Sequence, residues 1–328
     1  MLEKPKVNED EIVNYLHTAY KISAIELNFL PLGNSTNAWM YEVTSDTGKK
    51  YFLKLKKGEV YEPSLFVPQY LKNKGVKQIV APIPDNNDRL SSIVASHTLI
   101  LYPFITTDTA STVGMSDEQW MDLGKIVKDL HSANISGLAV ELQKDNFSKK
   151  WIDWIQDLRI KIESQNDDAF QAEMKKIWNE KSEKIDEIVQ RAVKLSQTIE
   201  KKNLGFVLCH TDIHDDNILV KGDEIFIVDW DNPMLAPKER DLMYFVGQKS
   251  EVAFFKGYGA TNIDKQMVAY YLYEWVIQDM CDYVARVFTV QDSGVATKNH
   301  AIQSFRELFE PGNAVDKACQ FYAKCGNV

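Results

Sequence analysis

A single β island interrupts a chain that is otherwise helical beyond its first third. It reads FVLCH, then TDIHDDN, then ILVKGDEIFIVDWD, over residues 206–231. KGDE has the composition of a tight turn between two short β runs, so the segment predicts a hairpin. Folding that hairpin returns the acid of IVDWD toward the residues that precede the first run. The hairpin can thus bring Asp229 back beside Asn217, at the end of a stretch that also holds His210, Asp212, His214, Asp215 and Asp216.

The first third has a different period. Ile12, Val13, Leu16 and Tyr20 recur at helical spacing behind Asn8 and Glu11, which predicts a short capped helix. AIELNFLPL, NAWMYEVTS and KYFLKLK then predict three antiparallel strands, with SDTGK as the turn between the last two. A helix is expected over 62–74, kinked at Pro68, followed by strands at QIVAPIP and HTLILYPFI. Beyond Ile105, Ser116 and Gln119 predict a capping box for the helix WMDLGKIVKDLHSA. Helical pattern fills most of 148–200, with Ile177, Ile185, Ile188, Val189, Val193 and Leu195 on one buried stripe. Helix returns after Asp241, notably in MVAYYLYEWVIQDMCDYVARV. A strand-rich start and a helical remainder with one small hairpin indicate an α+β, bilobal arrangement.

Composition narrows the function. The net charge of −9 argues against a general affinity for nucleic acid, because binding phosphates needs clustered Lys and Arg. No stretch approaches the ~20 apolar residues of a membrane span. Cys209, Cys281, Cys319 and Cys325 form no CxxC pair, so reduced thiols in a cytoplasmic protein are expected.

Three chemistries compete for the island. A polar surface loop explains the turn but not Asp229. A zinc-dependent hydrolase would use His210, Asp212 and His214, yet zinc sites need further ligands, and His17, His97, His131 and His300 stand singly. Phosphoryl transfer needs one acid to orient and deprotonate an attacking hydroxyl, plus an amide and a second acid to hold Mg²⁺ on the phosphates. H-x-D-x-x-x-x-N, a hairpin and an acid supply that set as Asp212, Asn217 and Asp229.

HTDIHDDN followed by IVDWD resembles the catalytic loop and metal-binding segment of the aminoglycoside phosphotransferase family, which is related to the protein kinases. DWDNPMLAPKERDLMYF and FFKGYG resemble in particular its spectinomycin phosphotransferase branch, essentially end to end. The resemblance implies a bilobal protein-kinase-like fold. Residues 1–105 would form an N-terminal nucleotide-binding lobe of antiparallel sheet with helices, and its linker. Residues 106–328 would form a mainly helical C-terminal lobe with a small β hairpin, the catalytic loop and the substrate pocket.

The same resemblance assigns roles. Asp212 is the catalytic acid-base group, and Asn217 and Asp229 bind Mg²⁺. Lys54 holds the nucleotide phosphates and Glu62 fixes that lysine, with Glu59 a nearby competitor. PLGNST implies a loop over the phosphates through Gly33, Asn34, Ser35 and Thr36. LYPFI implies a linker in which Tyr102, Pro103, Phe104 and Ile105 bind the base of ATP or GTP. An acidic pocket for a small cationic, hydroxyl-bearing substrate would draw on Asp231, Glu239, Glu274, Asp279 and Asp282. The implied activity is a Mg-dependent kinase of an aminocyclitol or aminoglycoside antibiotic. The alternatives are a kinase of an amino alcohol or sugar metabolite, a non-catalytic nucleotide-binding protein and, more distantly, the zinc-dependent hydrolase.

Overall fold

The first helix, α1 (Glu9–Tyr20), begins where the sequence places it. In the computed structural model, which describes residues 2–32, 35–165 and 167–325, the Asn8 side chain accepts from the Asp10 amide and donates to Glu11 Oε1 at 3.0 Å. Acids in the first turn add to the cap by facing the positive end of the helix dipole. The strands β1 (Ala24–Leu30), β2 (Ala38–Ser45) and β3 (Lys50–Lys56) are antiparallel neighbours, as expected. Gly48 makes the turn between β2 and β3 at φ 76°, a conformation that costs glycine nothing.

α2 (Pro63–Asn73) runs on through Pro68. β4 (Ser92–Val94) and β5 (His97–Pro103) complete a five-stranded sheet in the order β1-β2-β3-β5-β4. QIVAPIP is not the strand its apolar run suggests. Ile79 alone bridges to Ile227, with the Val80 amide donating to Ile227 O and the Ile227 amide to Gln78 O. Pro82 and Pro84 remove two donors that a ladder would need.

Next come β6 (Asp108–Thr109), α3 (Ala110–Val113) and α4 (Asp117–His131), the last with the predicted Ser116–Gln119 capping box. The helical pattern over 148–200 proves to be two helices, α5 (Lys150–Ser164) and α6 (Ala169–Ile199), and Asp168 caps the second. Five of the six residues expected on the buried stripe of α6 are buried; at its C-terminal end Ala192 is buried while Val193 is only half-buried.

The island contains β7 (Val207–Cys209), a single 3-10 turn (Asp215–Asn217), β8 (Ile218–Lys221), β9 (Glu224–Ile227) and β10 (Met234–Ala236). β8 and β9 form the expected hairpin, turned at Gly222. FVLCH does not extend it: β7 pairs with β10, and the third strand beside the hairpin is β6. Sequence periodicity missed β6 and β10 because two or three residues, one set flanked by Pro233 and Pro237, are too few to show a period. The chain ends with α7 (Glu239–Leu242), α8 (Glu251–Tyr258), α9 (Lys265–Phe288), α10 (Val295–Glu307) and α11 (Ala314–Lys324).

Two compact units result. The first combines residues 1–144 with 206–261, and the second combines 145–205 with 262–328. The sequence-based boundary at residue 105 falls inside the first unit. That unit contains the five-stranded sheet and the whole β island. The second unit is helical and packs α5, α6, α10 and α11 around α9, with Tyr271, Tyr273, Val276 and Met280 buried. Full burial of such side chains contributes roughly 1.5–3 kcal/mol each. No described helix is long and apolar enough to cross a membrane.

Candidate active site

The predicted residues of the island converge because its backbone is pinned at both ends of the hairpin. Asn217 precedes β8 and Val228 follows β9, and Ile218 faces Ile227 in register. The Val228 amide donates to Asn217 O at 3.0 Å, which sets Asp229 beside Asn217. The Asn217 side-chain amide donates to Asp212 O at 2.8 Å and to Asp212 Oδ2 at 3.1 Å. That orientation leaves Asn217 Oδ1 as the free-facing acceptor of the side chain.

The loop before the hairpin is held with equal care. His210 Nε2 donates to Val228 O at 3.0 Å, so its Nδ1 is the acceptor for the Asp212 amide at 3.3 Å. The His210 ring sits edge-on against Trp230 at 4.4 Å. Thr211 is at φ 77° and Asp229 at φ 62°, left-handed conformations that a non-glycine residue adopts only where its surroundings enforce it. At Thr211 the restraint is visible. Its amide donates to Asp241 Oδ1 at 2.7 Å, the His210 amide donates to Asp241 Oδ2 at 2.9 Å, and its hydroxyl donates to Asn232 O at 3.0 Å.

Asp212 presents a half-exposed carboxylate in this frame. Burial pushes its carboxyl up, but the hydrogen bond and charge of His214, with His210 and the Tyr244 hydroxyl, outweigh burial and hold it below the ordinary value of 3.8. Tyr244 donates to Asp212 Oδ1 at 3.2 Å. An ionised acceptor with a second oxygen bonded to Asn217 is suited to take a hydrogen bond from a substrate hydroxyl.

Lys54, on β3, is 5% exposed. Its Nζ donates to Asp229 Oδ1 at 3.0 Å and to Asp231 Oδ1 at 2.7 Å, and Lys56 lies 3.6 Å from Asp231 Oδ2. Burial would lower the Lys54 ammonium, yet the charges of Asp229 and Asp231 outweigh it and raise its pKa, so Lys54 stays protonated. Burial likewise pushes the Asp231 carboxyl up, while Lys54 and Lys56 draw it below the ordinary range.

The expected pair of Lys54 with Glu62 is replaced. Glu62 is exposed at the N-terminus of α2, where its carbonyl accepts from the Leu65 and Phe66 amides. The acids on Lys54 come from the β island instead, because a buried ammonium takes the carboxylates aimed at it by neighbouring strands. Asp231, expected among the substrate acids, is engaged with two lysines. Glu239, from the same expected set, is 6% exposed on α7. Glu274, Asp279 and Asp282 all lie on α9 in the second unit. Glu274 accepts from the Tyr270 hydroxyl at 3.0 Å, and burial pushes the Asp282 carboxyl up to about 6 against the pull of Arg286 and Lys150.

Of the loop expected over the phosphates, Gly33 and Asn34 lie outside the described residues. Ser35 donates to Asn37 Oδ1 at 3.0 Å, and Thr36 is half-buried beside it. Tyr102 and Pro103 end β5, and Phe104 and Ile105 follow it. Tyr102 packs against Leu65, Leu90 and Ile100, and its phenol is raised by burial.

Sequence reasoning missed Asp241, Tyr244 and Trp230 as parts of this site, although all three stand in the segment DWDNPMLAPKERDLMYF. No local pattern marks a fully buried acid that serves distant amides. His131, which stands singly in the sequence, is 8% exposed and bonded to Asp241 at 3.1 Å. The zinc ligand set does not form. Among the described residues, the trio of His, Cys and acid side chains whose ligand-type atoms lie within 4.8 Å of one another is His131, Cys209 and Asp241, and His210, Asp212 and His214 make no such group.

A family model described as the phosphotransferase enzyme family matches residues 29–276, about three quarters of the sequence. The chain belongs to the phosphotransferase enzyme family. This phosphotransferase is similar in structure to spectinomycin phosphotransferase solved in complex with ADP and spectinomycin, with 32% identity, 97% of this chain and 99% of that chain covered, and a TM-score of 0.85. It is also similar to the AMP-bound complex of spectinomycin phosphotransferase, with 32% identity, 94% and 98% coverage and a TM-score of 0.80. A choline kinase from Streptococcus pneumoniae shares the fold at 16% identity, with 91% and 99% coverage and a TM-score of 0.53. No curated protein sequence matches significantly. The protein is an ATP-dependent phosphotransferase of kinase-like fold, and the zinc-hydrolase reading has no support.

Proposed function

We propose that this phosphotransferase moves the γ-phosphate of Mg-ATP to a hydroxyl of an aminocyclitol or aminoglycoside antibiotic of the spectinomycin kind, acting in the cytoplasm. The observation that carries this reading is the 32% identity, over 97% of the chain, with a spectinomycin phosphotransferase holding ADP and spectinomycin.

The chain's own residues divide the work. Lys54 meets the nucleotide phosphates once they displace one of its two carboxylates, and its raised pKa keeps the charge they require. Asp212 accepts the substrate hydroxyl's hydrogen bond, aligns it for attack and receives its proton as the new P–O bond forms and the bond to ADP breaks. Asn217 Oδ1 and the Asp229 oxygen not engaged with Lys54 are hard oxygen donors, the type Mg²⁺ takes. When bound, Mg²⁺ neutralises charge on the phosphates. Residues 1–105 supply the nucleotide contacts in this reading, through Lys54, the loop at Ser35 and Thr36, and main-chain groups of Tyr102 to Ile105.

A cationic substrate suits the second unit. Between Met267 and Phe288 the half-buried positions of α9 are Glu274, Trp275, Gln278, Asp279, Asp282 and Tyr283. They recur about one turn apart and form a stripe of three acids and two aromatic rings, which suits protonated amines on a ring scaffold. An ADP-release assay against spectinomycin, related aminocyclitols, aminoglycosides, choline and other amino alcohols, with ATP or GTP and with or without Mg²⁺, tests the reading. Mg-dependent turnover of an aminocyclitol is expected. Turnover confined to choline or another metabolite alcohol would replace the antibiotic reading with a metabolite kinase.

A further inference from the structure

The Asp241 carboxylate is fully buried and holds the two amides that set the loop before Asp212. Its remaining described partner is His131 Nε2, at 3.1 Å from Oδ2. The other imidazole nitrogen, Nδ1, lies 2.9 Å from the Tyr258 hydroxyl. These three side chains come from α7, α4 and α8, so a route leads from the last turn of α8 to the loop of the β island.

The bonding pattern fixes the protons. The Asp241 carboxyl, pushed up by burial, is pulled below its ordinary value by the hydrogen bonds it accepts, from His131 first and from the Thr211 amide, so it is ionised and only accepts. His131 Nε2, facing that carboxylate, must then carry a hydrogen, and Nδ1 is the ring nitrogen left to face the Tyr258 hydroxyl. Tyr258 meets that nitrogen as a donor, and burial raises its phenol so that the proton stays on it.

The helices that carry this route are clamped together. A Cβ on Gly124 of α4 would stand 2.1 Å from Phe254 O, and one on Gly257 of α8 would stand 1.7 Å from Met121 O. Only reciprocal glycines allow this approach, and Gly257 immediately precedes Tyr258. Tyr258 also stacks on Phe254, with ring centroids 5.9 Å apart, and Phe254 stacks on Phe245 at 3.8 Å. The ring is therefore held rigidly where its hydroxyl meets His131.

We propose that Tyr258 and His131 are positioning residues for phosphoryl transfer: Tyr258 locks His131 as the tautomer protonated at Nε2, and that proton keeps Asp241 turned toward the amides of His210 and Thr211. This rests on the reading of Asp212 as the group that meets the substrate, so its test first follows the loop itself. In ¹⁵N-labelled protein, long-range ¹H–¹⁵N spectra should show the His131 tautomer protonated at Nε2. In Tyr258→Phe, which keeps the ring stack, the Thr211 amide should exchange with solvent at least tenfold faster than in the parent chain. A tautomer protonated at Nδ1, or unchanged exchange in Tyr258→Phe, overturns the proposal whatever the substrate proves to be.

Kinetics then separate positioning from simple packing. Tyr258→Phe should lower kcat about tenfold with KM for ATP within about twofold. His131→Gln, which keeps an N–H near the place of Nε2, should retain several times the kcat of His131→Leu at equal folded fraction by circular dichroism. Equal losses in the two His131 variants, or a loss in Tyr258→Phe confined to KM, would overturn the role in turnover.

Discussion

The loop of the β island and the half-buried stripe of α9 both gather acids, and they treat them in opposite ways. In the loop four side chains are bonded within the frame: His210, Thr211, Asp212 and Asn217 are bonded to Val228, Asn232, Tyr244 and one another, and Asp241 takes the Thr211 amide. There burial pushes Asp212 up, but His214, His210 and Tyr244 hold it below its ordinary value. On α9, Asp282 is pushed up to about 6, because burial outweighs the nearby cations. Asp212 thus sits in a frame of hydrogen bonds that favours its ionised form, whereas burial at Asp282 favours the protonated one.

The largest test of this contrast is Asp212→Asn. It should lower kcat about 10³-fold, in the range for losing a positioned acid-base group, while nucleotide affinity by calorimetry stays within a fewfold. Near-normal turnover would remove the loop from the chemistry. Asp241→Leu should come next, destabilising the fold by about 3 kcal/mol in urea unfolding, since buried amides of His210 and Thr211 lose their acceptor. Its acid sensitivity has a definite sign. A carboxyl depressed in the folded state contributes stability above its ordinary value of 3.8 and loses it as pH falls through the lower folded value, so the parent and the variant should converge in stability there.

Asp282→Asn probes the other side. A carboxyl raised to about 6 binds more protons in the folded state than in the unfolded state, so its contribution to stability declines as pH rises from 3.8 through about 6. The variant should therefore exceed the parent by about 1 kcal/mol at pH 7.5, a value reduced for the half-exposed side chain, and the gain should vanish by about pH 4. A stability loss at pH 7.5 would show that Asp282 is stabilised in its ionised form, as Asp212 is. The smallest effect is expected from Glu62→Gln, which should change ATP affinity less than twofold because Asp229 and Asp231 hold Lys54. A tenfold loss there would return Glu62 to the lysine.

Much of this site is legible along the chain. Asp212, Asn217 and Asp229 are recognisable because a short hairpin converts sequence spacing into proximity, and its register is local. Lys54 is recognisable through the family resemblance, which matches the lysine of YFLKLK at the end of the third strand. The acid that holds Lys54 was misplaced, because Glu62 is near it in sequence whereas Asp229 and Asp231 are 175 and 177 residues away. Asp241 and Tyr258 carry no local signal at all. Helical periodicity reports which face is buried, but not which polar group waits inside.

The sequence by itself determined the α+β character, the hairpin and the nearness of Asp229 to Asn217, because periodicity, turn chemistry and short-range spacing encode them directly. Tertiary structure alone decided which carboxylates neutralise Lys54, how His131 and Asp241 hold Thr211 at φ 77°, and which face of α9 keeps its acids accessible. The physical reason is burial. A polar group removed from water must find a partner wherever the packed chain supplies one, and that choice is made by the fold as a whole.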